Sequence, residues 1–305
     1  MTAIFCLWLA ATRPTVDTFM LTSKTFDNTR TIRVLLPAGY AQSAHRSYPV
    51  LYLNDGSMVF RQNAIDVATL QNIPPIIIVG IDNGASTDKS SKERDDRAAE
   101  FLPYPDAGFP SHTYAPDPAE PRGKSYPAFL DEVMHAVEAK YRVRRDAAST
   151  GIGGFSYGGV AALYAVVARQ GRFGKLLIES TPLWIGPDRK LLADARRARS
   201  WPSRVYIGVG TNEAKGEDIN AEGRADIEAL VSAIRDASPA TAIKSVAEEG
   251  GTHSTQAWRR RLPAALDFLF GKKEAARGGL DLRSLERATG LEPATSTLAR
   301  SHSTN

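Results

Sequence analysis

The chain has almost no cysteine, few histidines and no long apolar run, and each shortage removes a class of protein. Cys6 is the only cysteine in 305 residues, so no disulfide can form within the chain and no multi-thiolate metal centre can be assembled. The five histidines, His45, His112, His135, His253 and His302, lack the close spacing of a metal-binding motif, and no metal or other cofactor is expected. No stretch approaches the ~20 apolar residues that a membrane-spanning helix requires, so no membrane partner is expected. Charge of one sign is also scarce in excess: the net charge is +4, and the arginine clusters "ARRARS" and "WRRRL" belong to no recognisable nucleic-acid module. They read as solvated helix faces, and no nucleic-acid partner is expected. No internal repeat is found.

What remains is an ordinary globular composition, 43% hydrophobic and 24% charged, in a chain long enough for a sizeable core. The opening apolar stretch from Ala3 to Ala11 ends in small residues, as a secretory leader does, without a basic segment before it. Residues 1–14 are therefore read as a leader-like segment, and cytoplasmic and periplasmic locations are both compatible with it.

"TFMLTS" and the alternating "TIRVLLP" flank the turn-like "FDNTR" and predict an antiparallel strand pair. "YPVLYLNDG" and "PPIIIVGIDNG" are short continuous apolar runs, the pattern of strands buried on both faces of a parallel sheet. In "YPAFLDEVMHAVEAKYRV", Phe129, Val133, Val137 and Tyr141 share one helix face. Further strands are expected at "AASTGIGGFS", "KLLIES", "RVYIGVG" and "AIKSVAEE", with helices between and after them. Alternation of this kind predicts an α/β fold: a mostly parallel eight-stranded sheet with helices on both faces, spanning residues 15–274. Residues 82–125 hold six prolines and no sustained periodicity, and predict a lid or substrate loop. Residues 275–305, rich in Ser, Thr and Ala without apolar periodicity, predict a disordered tail.

The chemistry concentrates at "GIGGFSYGGV". Gly154-Phe155-Ser156-Tyr157-Gly158 fits G-x-S-x-G and falls between a predicted strand and a predicted helix, where a nucleophile elbow must lie. The serine there adopts a strained conformation that lifts its hydroxyl clear of the sheet, and the flanking positions have room only for very small residues. A dinucleotide-binding fingerprint is excluded, because the sixth position counted from Gly151 is Ser156 instead of glycine.

A serine hydroxyl needs a base, and the base an orienting carboxylate. In this fold class the chain order is serine, acid, histidine, so the base must follow Ser156. His253, in the glycine-flanked loop "EEGGTHSTQAW", is the candidate, since His302 lies in the tail. Glu213, just past the strand "RVYIGVG", is the candidate acid, with Glu217, Asp218 and Asp188 as alternatives. The backbone N–H groups of Tyr157 and Ser57 are the candidate oxyanion donors, Gly56 allowing the chain to turn back toward the nucleophile. Arg97, Glu100 and Tyr104, with the neighbouring aromatics Phe101, Phe109 and Tyr114, are candidate substrate contacts within the 82–125 segment.

These motifs, in order, resemble the esterase family of α/β-hydrolases that includes enterochelin esterase, esterase D, feruloyl and acetylxylan esterases and the mycolyltransferases. The resemblance runs from Thr18 to Gly271 through "YPVLYLNDGSMVF", "IIIVGIDNG", "GIGGFSYGGVAALYAV", "ESTPLWIG", "YIGVGTNE" and "GGTHSTQAWRRRLPAALDFLF". It implies a metal-free serine hydrolase acting on a small-molecule carboxylic ester, with Ser156 as nucleophile, His253 as base and Ser57 and Tyr157 as oxyanion donors. The family commonly has aspartate where Glu213 stands, and Met or Leu where Tyr157 stands. "VGIDNG" and "LYLNDG" resemble the enterochelin branch most, implying siderophore-type esters. Carbohydrate acetyl or feruloyl esters, acyl transfer, and a non-catalytic binding module of the same fold are the alternatives.

Overall fold

Strand formation follows the two sequence patterns closely. In the computed structural model, which describes residues 13–61, 73–84, 93–106 and 120–271, the antiparallel entry is β1 (Thr15–Ser23) and β2 (Asn28–Leu36). β1 is largely exposed and β2 alternates, as a sheet edge and its neighbour should. The continuous apolar runs become β3 (Val50–Asn54) and β4 (Ile77–Ile81), every residue of which is buried. β5 (Thr150–Phe155), β6 (Lys175–Glu179), β7 (Arg204–Gly210) and β8 (Ala242–Glu248) complete a sheet of order β1-β2-β4-β3-β5-β6-β7-β8. β1 pairs antiparallel with β2 and β2 with β4, while all the other pairings are parallel.

Seven α-helices are described: α1 (Gly56–Arg61), α2 (Glu93–Phe101), α3 (Tyr126–Lys140), α4 (Tyr157–Ala168), α5 (Lys190–Arg197), α6 (Glu217–Ala237) and α7 (Thr255–Phe270). They divide the core in two. On one face of the sheet α3, α4, α5 and α6 bury residues such as Phe129, Val133, Leu163, Leu191 and Leu230. On the other, α7 sets Trp258, Leu262, Leu266 and Leu269 against Leu51, Leu53, Phe155 and Leu177. Each large apolar side chain fully buried in this way contributes about 1.5–3 kcal/mol. This is the expected α/β-hydrolase architecture.

Two expectations need correction. The 82–125 segment is not wholly irregular: α2 lies within it, and a 3-10 turn, Gly123–Ser125, leads into α3. α2 was hidden because "ERDDRAAEF" is short and strongly polar, and it is held by ion pairs to Arg30 on β2 and to Asp55 in the turn after β3. At "LNDGSMVF" the residue with positive φ is Asp55, at 59°, not Gly56. Gly56 serves close approach instead, since a Cβ there would stand 2.5 Å from the carbonyl carbon of Gly80. Residues 1–12 of the leader-like stretch, the tail at 275–305, Phe109 and Tyr114 lie outside the described residues.

The parallel register matters most for chemistry. Phe155 stands opposite Glu179, Glu179 opposite Gly208, and Gly210 opposite Glu248. The chain therefore leaves β5, β6, β7 and β8 along one carboxyl edge, where open α/β sheets collect their functional groups.

Candidate active site

Ser156 joins β5 to α4 with φ 53° and ψ −128°, outside the comfortable regions for a residue with a side chain. Its amide donates to the Glu179 carbonyl at 2.9 Å and its carbonyl accepts from Gly159 at 2.9 Å, so sheet and helix grip the corner from both sides. The glycines are there because backbones meet. A Cβ on Gly154 would lie 2.3 Å from the carbonyl carbon and oxygen of Gly158, and one on Gly158 would lie 2.7 Å from Asp55 Oδ2. Tyr157 is the first residue of α4, so its N–H belongs to the positive end of the helix.

The loop after β3 is fastened to this corner. Asn54 donates from Nδ2 to the Gly158 carbonyl at 2.7 Å, and its own Oδ1 accepts from the Tyr126 hydroxyl. Asp55 is 3% exposed, and its carboxylate accepts from Arg97 Nε at 2.6 Å, Arg97 Nη2 at 2.8 Å and Asn83 Nδ2 at 3.0 Å. Its carbonyl accepts from Met58 and Val59, opening α1, of which Ser57 is the second residue. Ser57 and Tyr157 thus begin two helices tied together through Asn54 and Gly158.

Glu213 and His253 meet. The ring Nδ1 and Glu213 Oε2 are 2.7 Å apart, while Oε1 accepts from the Gly210 amide at 2.6 Å and the Ser180 hydroxyl at 2.6 Å. Burial opposes ionisation of Glu213, but the hydrogen bonds from His253, Ser180 and the Gly210 N–H outweigh it and hold the carboxyl below its ordinary range. An ionised carboxylate only accepts, so the histidine Nδ1 carries the proton in this contact. Among the described residues Glu217, Asp218 and Asp188 make no hydrogen bond to the ring; Glu217 and Asp218 open α6 as exposed residues. No hydrogen bond joins the Ser156 hydroxyl to the ring among the described residues, a looseness common in unliganded hydrolase sites. Trp258 links the two sides: its indole stacks on Phe155 at 5.0 Å and meets the His253 ring edge-on at 5.3 Å.

The candidate substrate contacts separate into different environments. Arg97 is spent on Asp55, with its guanidinium 5.7 Å from the Tyr157 ring centroid and 5.2 Å from that of Phe101. Glu100 is 1% exposed, paired with Arg30 at 2.9 Å and accepting from Asn28, so it anchors α2 to β2 and its carboxylate has no open side to offer a ligand. Tyr104 donates to Asp194 on α5 and packs edge-on against Tyr164. Sequence reading missed Asp106 and Trp184: Asp106 accepts from the Tyr157 hydroxyl at 2.6 Å and from Trp184 Nε1 at 3.3 Å, and so ties the side chain that follows Ser156 to Trp184. Trp184 lies in the quoted "ESTPLWIG", but nothing local in that string discloses its partner.

Several known proteins share this fold. EstB, a siderophore hydrolase from Aspergillus nidulans, superposes with a TM-score of 0.67 at 18% identity, covering 86% of this chain and 97% of that one. An IroE-like serine hydrolase from Shewanella oneidensis gives 0.65 at 19% identity, over 84% of this chain and 79% of that one. The enterobactin esterase FES from Shigella flexneri, solved with enterobactin, gives 0.63 at 21% identity, over 86% of this chain and 61% of that one. In sequence, the uncharacterized protein YbbA of Bacillus subtilis (strain 168) is 23% identical over 193 residues, 61% of this chain and 70% of its own length. Residues 23–269, from the end of β1 almost to the end of α7, match the family described as "Putative esterase", and the chain belongs to that family of carboxylic ester hydrolases.

Proposed function

We propose that the protein cleaves its ester through an acyl-enzyme formed on Ser156, with His253 as general base and Glu213 as the orienting acid. The contact that carries this reading is the 2.7 Å approach of His253 Nδ1 to Glu213 Oε2, made on the same sheet edge as the strained serine corner. With Nδ1 protonated toward Glu213, the lone pair of Nε2 is available to take the Ser156 proton. The serine oxygen attacks the ester carbonyl, and the charge that develops on the carbonyl oxygen is met by the N–H groups of Ser57 and Tyr157 and the positive end of α4. The imidazolium then gives its proton to the departing alcohol. Water, deprotonated by the same ring, opens the acyl-enzyme and restores the serine. Glu213, kept ionised by its donors, stabilises the imidazolium in both halves.

For the substrate, we favour a siderophore-type ester. Support comes from the neighbours' own names, which include a siderophore hydrolase and an enterobactin esterase, and from two aromatic side chains, Trp184 and the Tyr157 next to Ser156 in the chain, that both donate to Asp106. A feruloyl ester is the second reading, favoured by a ferulic acid esterase that superposes with a TM-score of 0.58 over 98% of its length.

The test is hydrolysis of p-nitrophenyl acetate by the wild type beside Ser156→Ala, His253→Ala and Glu213→Gln. Removing the nucleophile or base is expected to lower kcat by at least about four orders of magnitude, and the acid by about four. Wild-type rates in Ser156→Ala would refute the mechanism. Turnover of a catecholate trilactone against feruloylated sugar, compared as kcat/KM, decides between the two substrate readings.

A further inference from the structure

The mechanism above leaves unused a buried polar cluster directly behind the acid. Ser180, the residue after β6, has φ 48° and is 6% exposed. Its backbone is pinned by donation to the Gly208 carbonyl at 2.8 Å. Its hydroxyl touches three groups: Trp258 Nε1 at 2.7 Å, Arg261 Nη2 at 3.3 Å and Glu213 Oε1 at 2.6 Å. Arg261 is itself fixed, donating from Nε to the fully buried Glu179 at 2.8 Å and from Nη1 to Glu248.

The direction of every proton in this cluster follows from residue type. An indole N–H and a guanidinium N–H can only donate. Both therefore occupy lone pairs of the Ser180 oxygen, and the one hydrogen of Ser180 is left to point at Glu213. Oε1 of Glu213 then receives two donors, Ser180 and the Gly210 amide, which leaves Oε2 for the ring. The ring must answer with an N–H, so the tautomer with the proton on Nδ1 is selected.

Resting on the serine-hydrolase reading above, we propose that Ser180 is a positioning residue: its hydroxyl, aimed by Trp258 and Arg261, sets the orientation of Glu213 and thereby the tautomer of His253. The backbone around it is consistent with selection for the side chain. A φ of 48° suits glycine better than serine, so the strained residue is kept where its hydroxyl has a task. Trp258 extends the arrangement, because the same indole that aims Ser180 also stacks on Phe155 and meets the base edge-on, coupling the ends of β5 and β6 to the loop that carries His253.

Ser180→Gly is the sharpest test, since glycine accepts this backbone and removes the side chain that carries the hydroxyl. The expected result is kcat lowered about 10–100-fold with KM within about twofold, an effect of the size that loss of alignment at a reacting centre produces. Loss of a donor raises the proton affinity of Glu213, so the acidic limb of the pH profile moves to higher pH. The low-field NMR signal of the Nδ1 proton in the unliganded protein is expected to broaden or vanish. Ser180→Ala serves as the second variant, and Trp258→Phe, which keeps a ring but not the N–H, is expected to shift kcat in the same direction by a smaller factor. Unchanged kcat, or a lowered kcat with the pH profile and the imidazole proton signal both unchanged, overturns the proposal. Ser156→Ala assayed in parallel separates the two failures: activity surviving there refutes the serine mechanism, whereas the NMR readout tests the Ser180–Glu213–His253 orientation without turnover.

Discussion

Gly154→Ala puts the elbow argument to a quantitative test. The added Cβ would stand 2.3 Å from the carbonyl carbon and oxygen of Gly158 and 2.8 Å from the Gly159 amide nitrogen, where ordinary contact begins at 3.4 Å. All three atoms are backbone, so no side chain can rotate away, and α4 must withdraw from β5 by about 1 Å. α4 is locked in place by Val160, Ala161, Ala162 and Leu163, all 0% exposed, so that withdrawal also loosens the core. Overpacking of this kind costs about 3 kcal/mol, at the upper end of its usual range. If Ser156 is the nucleophile as proposed, a displacement of ~1 Å there lowers kcat about a hundredfold. The control is Gly223→Ala, in the interior of α6 with nothing within 4 Å of the new methyl. It is expected to stabilise by about 0.5–1 kcal/mol, because alanine loses less backbone entropy on entering a helix. Urea unfolding measures the two stabilities, and hydrolysis of p-nitrophenyl acetate measures the rate. A Gly154→Ala protein as stable and active as the wild type would show that strand and helix do not meet as described.

Arg97→Gln leaves the Asp55 carboxylate, 4% exposed, with Asn83 as its remaining side-chain partner. A loss of about 3 kcal/mol is expected in urea unfolding, with part of it recovered in the double variant Asp55→Asn, Arg97→Gln, and additive losses would refute the pairing. Glu179 gives a pH prediction. Burial, outweighing the pull of Arg261, raises its carboxyl to about 7 from 4.5 in the unfolded chain. The native state then binds a proton more tightly than the unfolded one, so this group's contribution is fully present below pH 4.5 and is lost as pH rises through 7. Between those limits the wild type should lose about 3 kcal/mol more than Glu179→Gln, and matching pH dependences for the two proteins would refute it. Arg30→Met strands Glu100 at 1% exposure and should release α2, read as faster proteolysis within residues 93–101 at unchanged protease specificity; equal cleavage rates would show the ion pair does not hold it.

The parts of the site that were legible in the sequence are those whose cause is local. Ser156 could be found because strand, corner and helix are contiguous, so the steric demand of the elbow is written in adjacent glycines. The eight strands were legible for the same reason: burial on both faces of β3 and β4 leaves unbroken apolar runs, and exposure of one face of β2 leaves alternation. His253 and Glu213 were reachable by chain order and strand ends, though not their contact across 40 residues.

What escaped depends on distant partners. Glu100 reads as a free carboxylate until Arg30, 70 residues earlier, is seen beside it, and Arg97 reads as a ligand-binding cation until Asp55 is. The string "ESTPLWIG" does not disclose what Ser180 touches; the role proposed for it rests on an indole 78 residues and a guanidinium 81 residues away. The chain's own order of apolar, polar and glycine residues thus determined the α/β sheet, its eight strands and the serine corner, because backbone sterics and burial act between near neighbours. Which charges are paired, which oxygen of Glu213 faces the ring, and that Asp55 and not Gly56 makes the turn were decided only when the tertiary structure brought remote donors and acceptors within 3 Å of one another.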